Sequence, residues 1–183
     1  LNMACIQVCH HLTAYICNNG GGTSMAGDTL LSYIAKTPFT QYEKVWTKVT
    51  PITQKMTRRH YKQGVNFYII DKKKQPQANA AQRFNGKVWV LVNHHSFSAA
   101  ASFAWTVKAF KIGTLVGEEA GGMNVSYGDV VGYILPNSKL QLSISFKRFW
   151  LFGADENNIH GALPDIEVES NKALEVVLDR ISH

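Results

Sequence analysis

Apolar positions change rhythm along this chain, and each change predicts an element. Leu12 to Cys17 is mostly apolar and runs into Asn18-Asn19-Gly20-Gly21-Gly22. That is a buried strand ending in a loop that needs positive φ. Thr23 or Ser24 can cap a following helix, with Ala26, Leu30, Tyr33 and Ile34 on one face and Thr37-Pro38 ending it. From Phe39 to Phe84 the patterning is poor. Strands are predicted at Tyr42 to Val49 and Val65 to Ile70, with charged stretches at Lys55 to Lys62 and Asp71 to Pro76 read as solvated faces and a turn.

The second half is clearer. Lys87-Val88-Trp89-Val90-Leu91-Val92 is apolar without alternation, the mark of a central strand buried on both faces. After the loop Asn93 to Phe97, Ser98 opens a segment with Ala100, Phe103, Ala104, Val107 and Phe110 at helical spacing, ending near Gly113. Thr114 to Gly117 is another buried strand, so this stretch is a βαβ unit and the sheet is parallel there. A glycine-rich stretch, Gly117 to Gly128, follows. Val130 to Leu135 and Leu140 to Phe146 then flank a Pro136-Asn137-Ser138 turn. Leu140, Leu142, Ile144 and Phe146 alternate with polar residues, predicting a half-buried hairpin strand. A last helix carries Leu174, Val177, Leu178 and Ile181 on one face, with Ser170 or Asn171 as its cap.

Composition narrows the class. The 183 residues are 45% hydrophobic and 17% charged, enough for one domain with a full core and unlike a disordered or collagenous chain. No apolar run approaches the roughly 18 residues of a membrane span. The formal charge of +6 leaves an anionic partner open. Only Arg58, Arg59, His60 and Tyr61 interleave an aromatic with basic charge, too little to predict nucleic-acid binding. The three cysteines, Cys5, Cys9 and Cys17, are an odd number and cannot complete a disulfide framework. Cys5, Cys9, His10 and His11 lack the second ligand pair of a structural zinc site, so no metal and no cofactor are expected.

Two loops can carry chemistry. Ser98 lies between a parallel strand and a helix, at the carboxyl edge of the sheet where open α/β sheets bind ligands. The N–H of Ala99 and its neighbours at the helix start can receive negative charge, so Ser98 can be a nucleophile. The same position suits a helix N-cap, and no glycine flanks Ser98 as in a Gly-x-Ser-x-Gly elbow. The second loop, Asn18 to Gly22, can turn backbone N–H groups toward an anion. It lacks the Gly-Lys-Ser/Thr of a phosphate loop and the spacing of a dinucleotide fingerprint, and an ordinary tight turn reads the same way.

Taken together, Asn93 to Ala104 and Leu115 to Gly122 resemble the catalytic core of the S41 family of serine peptidases. That family includes the C-terminal processing (tail-specific) peptidases and the tricorn core protease. Leu12 to Gly22 resembles its strand ending in Asp-x-Arg-Asn-Asn-Gly-Gly. Leu135 to Ser138 and His160 to Val168 match later landmarks in order, so the resemblance runs from Leu12 to the end of the chain. It implies an α/β, ClpP/crotonase-like core with a mostly parallel sheet flanked by helices. Residues 12–183 would form that core, 39–84 a poorly patterned insertion within it, and 1–11 an N-terminal segment of unclear role. It further implies that Ser98 attacks a peptide carbonyl and forms an acyl-enzyme, with Ala99 and Gly21 or Gly22 forming the oxyanion hole.

The departures bear on the base. Met123 stands where processing peptidases carry a lysine general base, so the Ser–Lys dyad is absent. The Gly-Glu-x-x-Gly-Gly form resembles the branch that uses a histidine and a glutamate. His10 and His11 sit too close to the glycine loop to match that histidine, so the base is missing or supplied by an upstream segment. Glu156 lies at about the distance of the distal glutamate and also reads as an exposed loop acid. His94 and His95 precede Ser98 in its own loop and are candidate bases if the loop geometry allows. Tyr15 and Cys17 replace an Asp and an Arg, removing both members of a charge pair. The expectation is a serine-type peptidase acting on polypeptides. The alternative is a peptide-binding or structural relative that has lost its base. No signal peptide is legible, and a periplasmic, secreted or envelope location is implied by resemblance alone. Oligomeric state is left open.

Overall fold

Period-two and apolar runs become nine strands, and the helical stripes become helices against them, in a computed structural model that describes residues 3–8, 10–57 and 62–182. In chain order the elements are β1 (Ala4–Val8), β2 (His11–Tyr15), α1 (Ser24–Ile34), β3 (Tyr42–Val49), α2 (Pro51–Thr57), β4 (Gly64–Ile69), β5 (Lys87–Val92), α3 (Ala99–Ala109), β6 (Thr114–Gly117), β7 (Val125–Ile134), β8 (Gln141–Leu151), β9 (Ile166–Glu167) and α4 (Ala173–Ser182). Cys9 and the Arg58-Arg59-His60-Tyr61 group, weighed above for zinc and nucleic acid, lie outside the described residues.

The first sheet has the order β1-β2-β5-β6-β9. β2, β5, β6 and β9 are mutually parallel, and β1 adds antiparallel at the edge. β5 is central, which is why its sequence shows no alternation. Val88, Val90 and Val92 face one layer with Leu12, Ala14 and Leu115, against Leu31 and Ile34 of α1 and Phe103 and Val107 of α3. Trp89 and Leu91 face the other layer with Val116, against Ala173 and Val177 of α4. The sheet is thus mostly parallel and flanked by helices, as the sequence predicts. Ending α1, Ala35 donates its N–H to Leu31 O, and Thr23 caps the start through Met25 N.

Several local expectations are corrected. The buried stripe of α1 is Gly27, Leu31 and Ile34; Tyr33 is exposed. The reason is close helix packing: a Cβ at Gly27 would lie 3.6 Å from the Phe103 ring, so the small residue marks the contact line with α3. α3 ends at Ala109, with Lys111 rather than Gly113 taking the left-handed φ of 52°. Leu178 of α4 is exposed.

The second sheet, β4-β3-β8-β7, is antiparallel throughout. The poorly patterned 39–84 stretch supplies two of its strands. Leu140, Leu142 and Ile144, expected half-buried, are exposed. Period two assigns them to one face, but no layer among the described residues covers that face. At its other end the sheet is pinned to the core: Trp105 donates to Phe152 O at 2.9 Å, Leu151 N to Asn124 O at 2.9 Å, and Gln41 Nε2 to Asp28 Oδ1 at 2.8 Å. This pinning sets the mouth of β7 and β8 beside the start of α3. Among the described residues no helix is long and apolar enough to cross a membrane.

Candidate active site

Parallel strands that share a sheet release their loops at the same edge, so the loops after β2, β5 and β6 converge. Ser98 sits between the β5 loop and α3 with φ 52° and ψ −124°. A left-handed φ at a non-glycine residue costs on the order of 1–3 kcal/mol and persists only where surroundings enforce it. Ser98 holds the N-cap position, yet its side chain makes no capping hydrogen bond. The strained backbone instead leaves an exposed hydroxyl at the start of α3. The neighbouring Ser96 is the structural serine. It is fully buried, its Oγ donates to Ile16 O at 2.8 Å and accepts from Asn93 N at 3.1 Å.

The turn is held from both sides. Ser98 O accepts from Ser102 N at 3.0 Å and Ser102 Oγ at 3.2 Å. Tyr42 Oη reaches Ser102 Oγ at 3.4 Å, and burial pushes the Tyr42 phenol up, so it stays a neutral donor. Ser96 O accepts from Gly121 N at 3.0 Å and Gly122 N at 3.3 Å. A Cβ at Gly122 would stand 2.5 Å from Ala101 Cβ, so the loop after β6 packs directly on the first turn of α3.

The glycine loop closes the third side. Gly21 has φ 98°, and a Cβ there would lie 2.6 Å from Ser98 Cβ and 2.9 Å from Ala99 N. The predicted meeting of the two loops is therefore a backbone contact. Gly21 N, however, already donates to Asn19 Oδ1 at 3.0 Å. Among the described residues neither Gly22 N nor Ala99 N donates a hydrogen bond, and both residues line the cavity in front of Ser98. The cavity is about 570 Å³, in the range of small-ligand and peptide side-chain sites. Its far wall comes from the second sheet, including Tyr42, Lys147 and Asp129. Lys147 is ion-paired to Asp129. Sequence reasoning missed these wall residues, because only the packing of the two sheets brings them here.

The candidate bases lie elsewhere. His94 Nδ1 is 2.7 Å from Glu118 Oε2, and its ring centroid lies 4.1 Å from that of His95 with the planes tilted by 48°; neither residue lines the Ser98 cavity. The His94 contact, with Ser170 N donating to the other carboxylate oxygen, pulls Glu118 down to about 2. Glu156 is bound by the Trp150 indole N–H and lies 3.6 Å from Arg148 and 3.9 Å from Lys44, also outside the cavity lining. Met123 does line it. Cys17 is buried, and burial beside Glu118 pushes its thiol up to about 11, so it is no rival nucleophile. His160 N bonds to Asn124 Oδ1, and the Asp165 carboxylate accepts from Leu115 N and Lys108 Nζ, each at 2.8 Å; both residues are structural. Among the described residues no group of three or more His, Cys, Asp or Glu is placed to hold a metal.

Comparison with known proteins bears on the fold. Mature CPAF superimposes with a TM-score of 0.66 at 15% identity, over 94% of this chain and 42% of that one. A putative peptidase from Parabacteroides merdae gives 0.56 at 16%, over 99% and 64%. The photosystem II D1 C-terminal processing protease gives 0.52 at 18%, over 88% and 35%. This chain therefore spans between about a third and two thirds of those proteins. No curated protein sequence matches. The sequence model of Peptidase family S41 matches residues 16–168, which hold every loop of the site, and the chain belongs to that family.

Proposed function

We propose that this chain carries the catalytic core of a serine peptidase that hydrolyses polypeptide substrates. Ser98 Oγ attacks the scissile carbonyl, and the carbonyl carbon becomes tetrahedral as its oxygen gains charge. Gly22 N–H and Ala99 N–H receive that oxyanion, and collapse expels the amine and leaves a Ser98 acyl-enzyme for water to hydrolyse. The observation that carries this reading is the strained, uncapped Ser98 packed against Gly21 beside two unengaged N–H groups. An oxyanion donor is worth about 2.7–4 kcal/mol of barrier. Gly21 supports the hole by its shape, its own N–H being taken by Asn19.

The proton acceptor is the unfilled role. Met123 lines the cavity and cannot accept a proton, and Lys147 is engaged with Asp129. No histidine of the described residues lines the cavity. The reading assigns that role to a group outside the described residues, an upstream segment by resemblance to the histidine-using branch, with Glu156 as the acid that would orient it. A tail-specific mode of action, a ClpP/crotonase-like ancestry and a periplasmic or secreted location accompany this reading as expectations from the family. A fluorophosphonate probe tests it. Labelling of the full-length protein that Ser98→Ala abolishes is expected; absence of any Ser98-dependent labelling would leave a peptide-binding relative of the family instead.

A further inference from the structure

The nucleophile Ser98 and one of its two oxyanion donors, Gly22, lie on different loops, so their separation must be fixed by something other than chain connectivity. β2 and β5 pair in parallel up to Tyr15 and Leu91, and the last ladder bond is Ile16 N to Leu91 O at 3.0 Å. Beyond it the two backbones diverge into their loops. Side chains continue the pairing. Asn18 N donates to Asn93 Oδ1 at 3.0 Å, and Asn93 Nδ2 donates to Asn18 Oδ1 at 3.0 Å. The orientation of both carboxamides is forced. A backbone N–H can only donate, so the Asn93 atom facing it is oxygen, and the remaining nitrogen must find the Asn18 oxygen.

Asn93 is 3% exposed, and its Oδ1 also accepts from His95 N at 3.2 Å. One buried carboxamide thus holds the first turn of the Ser98 loop and the first residue of the glycine loop. Asn18 has φ 60°, a conformation that Asn tolerates through local hydrogen bonding. A second pin, Phe97 N to Asn19 O at 2.9 Å, lies just before Ser98, and Asn19 also holds Gly21. The Asn18–Asn93 and Phe97–Asn19 bonds join the two loops, and Asn18, Asn19 and Asn93 do not line the cavity.

We propose that Asn18 and Asn93 are positioning residues, a reciprocal amide clamp that sets the distance between Ser98 and the oxyanion donor of the glycine loop. This rests on the serine-peptidase reading of Ser98. The clamp predicts that oxyanion stabilisation depends on a residue remote from substrate.

The test uses two substitutions at Asn18 in the full chain. Asn18→Gly removes the carboxamide and keeps the left-handed backbone available, so the fold is retained. Asn18→Asp keeps an acceptor for Asn93 Nδ2. For fluorophosphonate labelling, Asn18→Gly should lower the maximal rate by about tenfold with little change in probe affinity, since losing a donor outright costs about a hundredfold or more. Asn18→Asp should restore most of that rate. Amide hydrogen exchange supplies an activity-independent measure. Asn18→Gly should speed exchange in the Phe97–Ala99 segment as well as at Gly20–Gly22, and Asn18→Asp should not. Unchanged exchange across Phe97–Ala99 in Asn18→Gly would overturn the clamp whatever the labelling shows. Coupled exchange in a protein whose wild type never labels would support the clamp and sink the peptidase reading.

Discussion

Adding one methyl group at Gly21 is the sharpest probe of how these loops meet. A Cβ there would lie 2.6 Å from Ser98 Cβ, 2.8 Å from Phe97 O and 2.9 Å from Ala99 N. Real Cβ atoms essentially never come within 3.0 Å of such neighbours. None of the three can rotate away, because two are backbone and the third is bonded directly to it. The φ of 98° adds a backbone penalty of about 1–3 kcal/mol for any residue with a Cβ. Overpacking adds about 1–3 kcal/mol more if nothing moves. The cheapest relief is for the glycine loop to slide away from Ser98, which carries Gly22 N–H out of reach of the oxyanion. About 2 kcal/mol retained after that relaxation should lower the Tm by roughly 4–8 °C in a chain of this size. Loss of one donor should slow fluorophosphonate labelling by about a hundredfold. Gly20 provides the internal control. A Cβ there meets nothing within 4 Å, so Gly20→Ala should leave both the Tm and the labelling rate near wild type. If Gly21→Ala and Gly20→Ala behave alike, the loop does not abut Ser98 as described and the oxyanion assignment fails with it.

Two further outcomes test the frame around the site. Phe103 is fully buried in the middle of α3 where it meets Gly27 of α1, so Phe103→Ala should cost about 3–5 kcal/mol in urea denaturation. A cost under about 1 kcal/mol would mean that α1 and α3 do not pack as described. Glu118 has its carboxyl lowered from 4.5 to about 2, first by His94 and then by Ser170 N. A depressed acid contributes stability that is present above its ordinary range and lost as pH falls through the folded value. Glu118→Gln should therefore lower the Tm at pH 7, and the gap from wild type should close between about pH 5 and pH 2. A gap that stayed constant across that range would refute the ionic origin of the contact.

The central frame was legible because burial on both faces leaves an unmistakable record. Val88 to Val92 had to be a strand between two layers, and Ala100, Phe103, Ala104 and Val107 had to be a helix against it. Their order, strand then helix then strand, fixed a parallel pair and put Ser98 at the carboxyl edge. What escaped reading were elements with little private burial. Ala4–Val8 is a strand only because β2 offers it an edge, and Pro51–Thr57 is a short helix in a stretch with no sustained period. The alternation at Leu140, Leu142 and Ile144 gave the right element and the wrong environment, since a side chain's phase does not say what lies opposite.

The same division runs through the site. By itself the sequence determined which residue types stand at the loop ends: a serine before a helix and three glycines after a strand. Those are local facts, written in composition and order. Only the tertiary structure decided that Ser98 abandons the capping role that its position allows, because φ and ψ there are imposed by the loops packed around it. Only it showed that Asn19 takes the Gly21 N–H and leaves Gly22 to face the cavity, or that His94 turns to Glu118. Hydrogen bonds between residues distant in sequence depend on where parallel strands release their loops, and no local pattern encodes that register.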